Sequence, residues 1–140
     1  MPGRRLDSDQ DLSRILGEAR TVAVVGLSPR PARDSHRVAA YLKDAGYRII
    51  PVHPCRETIL GEPALSSLAE VRERIDVVNV FRRPSALPGL VPAAVAVGPL
   101  AIWFQIGVTH PRAEEAVLAA GVDLVVDRCL LVEHRRLMGD

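Results

Sequence analysis

The chain has 140 residues, of which 48% are hydrophobic, enough for one compact core and too few for two ordinary domains, so residues 1–140 read as a single domain. Its 18 basic and 17 acidic side chains leave a net charge of +1, so no overall field draws it to nucleic acid or to an anionic membrane, and its ligand has to be argued from a site. Cys55 and Cys129 form no C-x-x-C pair, the opening MPGRRLDSDQ lacks the apolar core of a secretory signal, and no apolar run approaches the ~20 residues of a spanning helix; a soluble protein of the reducing cytoplasm is expected.

In chain order, DSDQDLSRILGEA places Leu12, Ile15 and Leu16 on one face at helical spacing behind Asp7 or Ser8 as a cap, which predicts an N-terminal helix. TVAVVG, uniformly apolar, predicts a strand buried on both faces. SHRVAAYLKDAG follows as a helix carrying Val38, Ala39 and Leu42, with Asp34 or Ser35 as N-cap and Gly46 as its stop. YRIIPV predicts the second strand, SLAEVRER a short helix and IDVVNVF the third strand, while SALPGLVPAAVAVG reads as a helix interrupted by Pro88 and Pro92. LAIWFQ and DLVVD are the fourth and fifth strands, separated by PRAEEAVLAAG with Pro111 in its first turn, and CLLVEHRRLM closes the chain as a helix. Trp103 reads as core filling in the fourth strand.

Strands alternating with helices predict an α/β fold, a Rossmann-like doubly wound parallel five-stranded sheet of order 3-2-1-4-5 with helices on both faces. Such sheets bind ligands outside the carboxyl ends of their strands, near the point where the strand order reverses. Those ends carry a recurring residue type: Arg30, Arg33, Arg56, Arg82, Arg83 and Arg128 all fall in these loops. A single exposed arginine needs no special reason, but several on one rim suit phosphate, whose oxygens a planar guanidinium binds in pairs.

The first loop resembles a nucleotide-binding turn and breaks its rule. Gly26 follows the first strand, but Ser28 and Pro31 stand where G-x-G-x-x-G has its second and third glycines. Backbone N–H groups at the start of the helix after Ser35 offer an anion site, whereas Gly26 alone also fits a tight turn without a ligand. An NAD site would end its second strand in an acid about 20 residues beyond the glycines. Here the strand ends Val52-His53-Pro54, with Glu57 only beyond the proline turn, and the basic residues favour an extra phosphate on the ribose: NADP or coenzyme A (CoA).

The segments VAVVGLSPRPARDSHRVAAYL, GYRIIPVHP, ILGEPALSSL, DVVNVFRRP, IWFQIGV and DRCLLVEHRRL, in that order between Thr21 and Leu137, resemble the small single-domain CoA-binding proteins, related to the N-terminal CoA-binding domain of the succinyl-CoA synthetase alpha subunit. The resemblance implies that Gly26, Leu27 and Ser28, with Arg30, Arg33 and Ser35 beyond them, hold the CoA phosphates. It implies that the turn Val52-His53-Pro54-Cys55-Arg56, matching V-x-P-x-K with arginine for lysine, touches the adenosine end. It implies further that Val80, Phe81 and Arg82 pack on the adenine and that Gln105 and Gly107 line the pantetheine route. Many members have Asn where this chain has His53 and Asp where it has Asn79.

The same resemblance withholds a reaction, because the histidine phosphorylated in the synthetase belongs to a separate domain for which this chain has no residues. His36, His53, His110 and His134 lie in different elements without metal-ligand spacing, His53 and Cys55 being the one candidate zinc pair, and no nucleophile–base–orienter set is legible. Glu133-His134 lies nearest to Cys129, which closes the fifth strand either as a buried structural thiol or as one near a bound thiol. The resulting expectation is a CoA- or acyl-CoA-binding module, probed against two others: an enzyme using NADP or a CoA thioester, and a regulatory protein reporting CoA level to a partner.

Overall fold

Strand β1 (Thr21–Val25) is flanked on both sides in the computed structural model, which describes residues 1–54 and 57–139. On one side it pairs in parallel with β2 (Arg48–Val52), and on the other with β5 (Val77–Val80), beyond which lie β6 (Ala101–Phe104) and β7 (Asp123–Val125), all parallel. Alternation along each strand sorts the side chains into two cores. Val22 and Val24, Val77, Ala101 and Trp103 face α1 (Asp9–Glu18), α2 (Asp34–Asp44) and α5 (Leu130–Leu137). Ala23 and Val25, Val78 and Val80, Ile102 and Phe104 face α3 (Leu87–Ala96) and α4 (Pro111–Ala119). Trp103 is completely buried, as expected, and its indole N–H donates to the Arg128 carbonyl at 2.9 Å.

The expected five-stranded, doubly wound parallel sheet with helices on both faces is present, but the place of one strand differs from the expected order. Counting the five main strands alone, the order is 2-1-3-4-5: the third strand lies beside the first and not outside the second. Two features account for this. Every side chain of the third strand is buried, which suits an interior position, and Pro51 in the second suits an edge because it has no N–H to give a neighbour. That edge is partly covered, since Leu65 N–H donates to the Pro51 carbonyl at 2.9 Å and His53 N–H to the Leu65 carbonyl at 2.8 Å. At the far edge the N-terminal segment covers β7, with Leu6 N–H on the Leu124 carbonyl and Leu124 N–H on that of Arg4, at 2.8 and 3.0 Å. Unpaired edges invite pairing with other chains, and both are blunted here.

The differences elsewhere are local. A small hairpin, β3 (Thr58–Ile59) with β4 (Glu62–Pro63), interrupts the crossover to β5, turning through Leu60 and Gly61. SLAEVRER yields only a 3-10 turn over Leu68–Glu70, because Leu68 alone is buried and the residues after Val71 are charged and exposed. Ser8 caps α1 as expected, accepting from Asp11 N–H at 3.1 Å. The N-cap of α2, however, is Arg33 rather than Asp34 or Ser35, and no side chain satisfies it. Pro88 sits in the first turn of α3, where no N–H is needed, so the helix forms despite Pro92 inside it. No helix among the described residues is long and apolar enough to cross a membrane.

Candidate functional site

In the order 2-1-3-4-5 the chain reverses direction between the first and third strands, and a crevice opens beyond the carboxyl ends of β1 and β5. Gly26 leaves β1 with φ of +84°, and a Cβ built on it would lie 2.5 Å from the Phe81 carbonyl oxygen and 3.0 Å from Arg82 Cδ. The two strand ends therefore approach closely only because this residue has no side chain. Against that contact lies a cleft of about 860 Å³, lined by Gly26, Ser28, Arg33, Ser35, Val52, His53, Pro54, Phe81 and Arg82 among the predicted residues, and by Ala32, Asp34 and Ser66 besides.

The first loop is shaped by two side chains. Ser28 N–H donates to Ser35 Oγ at 2.9 Å, and Arg30 N–H to Ser28 Oγ at 3.1 Å. Ser35 is thus not the cap of α2 but a buried brace that folds the loop back onto the helix start. With no side-chain cap at Arg33, and Arg37 N–H the first to find a helical carbonyl, the N–H groups at the start of α2 remain for a ligand or water beside Arg33, Asp34 and Ser35 on the cleft wall. The helix dipole makes this end positive. Arg33 and Arg82 add full charges, and among the described residues neither has a carboxylate partner. The cleft combines backbone donors, two guanidinium groups and the Phe81 ring, a set suited to phosphate beside a planar base.

Not every predicted residue meets there. Leu27 and Val80 are fully buried in the two cores, so Leu27 presents only its backbone, and the Val80 side chain packs into the core on the face opposite Phe81. Arg30 is exposed on the loop without lining the cleft. Gly107 does not line the first cleft, and its N–H donates to Asp127 Oδ1 at 2.8 Å. Arg56 and Cys55 lie outside the described residues. Of the other rim arginines, Arg83 is exposed beyond Arg82, and Arg128 turns away to Glu133 Oε1 and the Asp7 carbonyl, at 3.1 and 3.2 Å. Glu133 is buried between Arg128 and Arg136. His134 Nδ1 shares a hydrogen bond of 2.8 Å with the Tyr41 hydroxyl, and burial holds its pKa below the ordinary histidine value.

A second cleft of about 700 Å³ continues the first across Asp34, Phe81 and Arg82, and runs between α2 and α5. Gln105 lines it, as do Ile106, Cys129 and Arg135. Gln105 Oε1 accepts from Leu130 N–H at 2.9 Å and from Asn79 Nδ2 at 3.2 Å; because a backbone N–H can only donate, the amide is fixed with its oxygen toward α5. Asn79 Nδ2 also reaches the Trp103 carbonyl at 3.3 Å, leaving Asn79 Oδ1 enclosed without a partner. The α5 wall was invisible in the sequence, where nothing marks residues 129–135 as neighbours of residues 34–38. The alternation along β5 does place Asn79 on the same face as Val77, and so beneath α5.

Known proteins resemble this chain along nearly its whole length. The family described as the CoA binding domain matches residues 20–135. The protein YneT of Bacillus subtilis (strain 168) is 40% identical over 127 residues, which is 91% of this chain and 94% of YneT. Among solved structures, one from Thermus thermophilus is 42% identical with a TM-score of 0.91, covering 94% of this chain and 100% of its own. A second, from Pyrococcus horikoshii OT3, is 33% identical with a TM-score of 0.92 over 99% of both chains.

Proposed function

Because the chain belongs to the CoA binding domain family, we propose that it is itself a cytoplasmic CoA- or acyl-CoA-binding module that carries out no reaction of its own. The observation that carries this reading is the uncapped start of α2, whose backbone donors face the cleft between Arg33 and Arg82. The pyrophosphate sits there, held by N–H groups and the dipole. The adenosine lies between the His53-Pro54 turn and Phe81, and the pantetheine arm leaves past Arg82 toward Gln105. Native mass spectrometry of freshly purified protein tests the reading directly: CoA or an acyl-CoA is expected to travel with the chain, and NADP in its place overturns it.

Two substitutions refine the assignment. Ser28→Glu puts a carboxylate on the cleft wall beside the pyrophosphate, and like charges there should weaken CoA by at least about tenfold in calorimetry. Unchanged affinity removes the first loop from the site. Arg56 is assigned to the 3′-phosphate on sequence grounds alone: its turn ends the second strand without the acid that NAD requires. Since a charge-assisted hydrogen bond contributes ~1.5–3 kcal/mol, Arg56→Ala should weaken CoA roughly ten- to a hundredfold. Dephospho-CoA, which lacks that phosphate, should bind the unaltered chain weakly and barely register the change. Equal losses for both ligands reassign the 3′-phosphate to another cation.

A further inference from the structure

We propose that Cys129 is a site of thiol–disulfide exchange with a CoA-containing disulfide, an inference that rests on the CoA reading above. Cys129 is a free, partly buried thiol that packs against the core on one side and lines the wall of the second cleft on the other, so it is not fully enclosed. It occupies the N-cap of α5, at the positive end of that helix. Arg37, Arg82 and Arg135 line the same cleft, and its one acid, Asp34, is paired with Arg37, so the wall beside Cys129 suits an anionic ligand.

Gln105 supplies an independent sign that the cleft takes a ligand. It is 95% buried, its Oε1 is spent on Asn79 and on Leu130, the residue next to Cys129, and its Nε2 has no acceptor among the described residues. That nitrogen is not among the enclosed unpartnered atoms, so it opens onto the cleft that Gln105 lines. A buried amide with two unused donors calls for a carbonyl. CoA carries two amide carbonyls between its phosphates and its sulfur. With the phosphates in the first cleft, the arm enters the second across Phe81 and Arg82 and brings its sulfur end to the Cys129 wall.

The exchange balances without a further oxidant. The Cys129 thiolate attacks one sulfur of CoA disulfide, a Cys129–CoA disulfide forms as the CoA–CoA bond breaks, and the departing CoA thiolate takes up the proton that Cys129 released. Free thiol in excess reverses it.

The test uses Cys55→Ser protein, so that one thiol remains, with CoA disulfide and intact-mass readout. A single CoA adduct is expected, mapped to Cys129, removed by dithiothreitol and absent from the Cys55→Ser, Cys129→Ser double variant. Because binding raises the effective concentration of the disulfide, it should form at least about tenfold faster than the adduct from oxidised glutathione at equal concentration, and excess S-methyl-CoA should slow it. Calorimetry of reduced CoA on the unaltered chain runs alongside. If CoA binds and no adduct forms, or if both disulfides react at the same rate, this inference falls and the CoA reading stands. If CoA does not bind, both fall.

Discussion

Gly26→Val is expected to cost the fold about 3–4 kcal/mol, lowering its melting temperature by roughly 10–15 °C, and to abolish CoA binding in what remains folded. Two penalties combine. The backbone at Gly26 has φ of +84°, where a side chain costs about 1–2 kcal/mol and a β-branched one is poorly tolerated. The new Cβ would also meet the Phe81 carbonyl oxygen at 2.5 Å and its carbon at 3.1 Å, and neither can rotate aside because Phe81 N–H is itself held by the Val25 carbonyl at 2.9 Å. The strand ends must part, and the cleft between them widens. Calorimetric melting of Gly26→Val against the unaltered chain is the check: coincident transitions would mean that β1 and β5 do not depend on this contact.

Arg82→Glu should leave the melting temperature within a few degrees of the original and weaken CoA by a hundredfold or more. Arg82 is exposed and has no ion pair among the described residues, so no fold contact is lost with its charge. It lines both clefts, which in the proposed CoA reading is where the phosphates turn into the arm. Removing a charge-assisted contact costs ~1.5–3 kcal/mol and a like charge beside phosphate adds several more, which together give the hundredfold. The gap should narrow with added salt, because the site is open to solvent. Arg83→Glu is the control: its residue is exposed, adjacent in sequence and absent from the cleft walls. If both substitutions weaken CoA equally, the general charge of the loop and not the position of Arg82 governs binding.

Much of the fold was legible because the decisive signals are local. Alternating strand and helix patterns, Gly26 after an apolar run, Gly46 after a helical one and Pro111 at a helix start each act within a few residues. Strand order is a contest between partners far apart in the chain, and alternation carries no information about it. One residue did: Pro51 marks the second strand as an edge, which leaves the third no place outside it. The site divided the same way. The loops that hold Ser28, His53 and Phe81 could be found by asking where strands end. Which arginines face the crevice depends on side-chain direction, so Arg33 and Arg82 could not be told from Arg30, Arg83 and Arg128. Ser35 suggested a cap by type and position, but its hydroxyl is claimed by a loop N–H seven residues earlier, a bond no helix rule anticipates.

The cover over β7 also dictates an order in time. Residues around Arg4 and Leu6 are translated well over a hundred residues before their partner, Leu124. At ~5–20 residues per second, they wait roughly 6–24 seconds on the ribosome before that strand exists. Every residue of the phosphate cleft, from Val25 to Arg82, has been made by then. This early-made segment therefore docks late, and the residues that line the cleft are available to fold while the β7 edge of the sheet is still open.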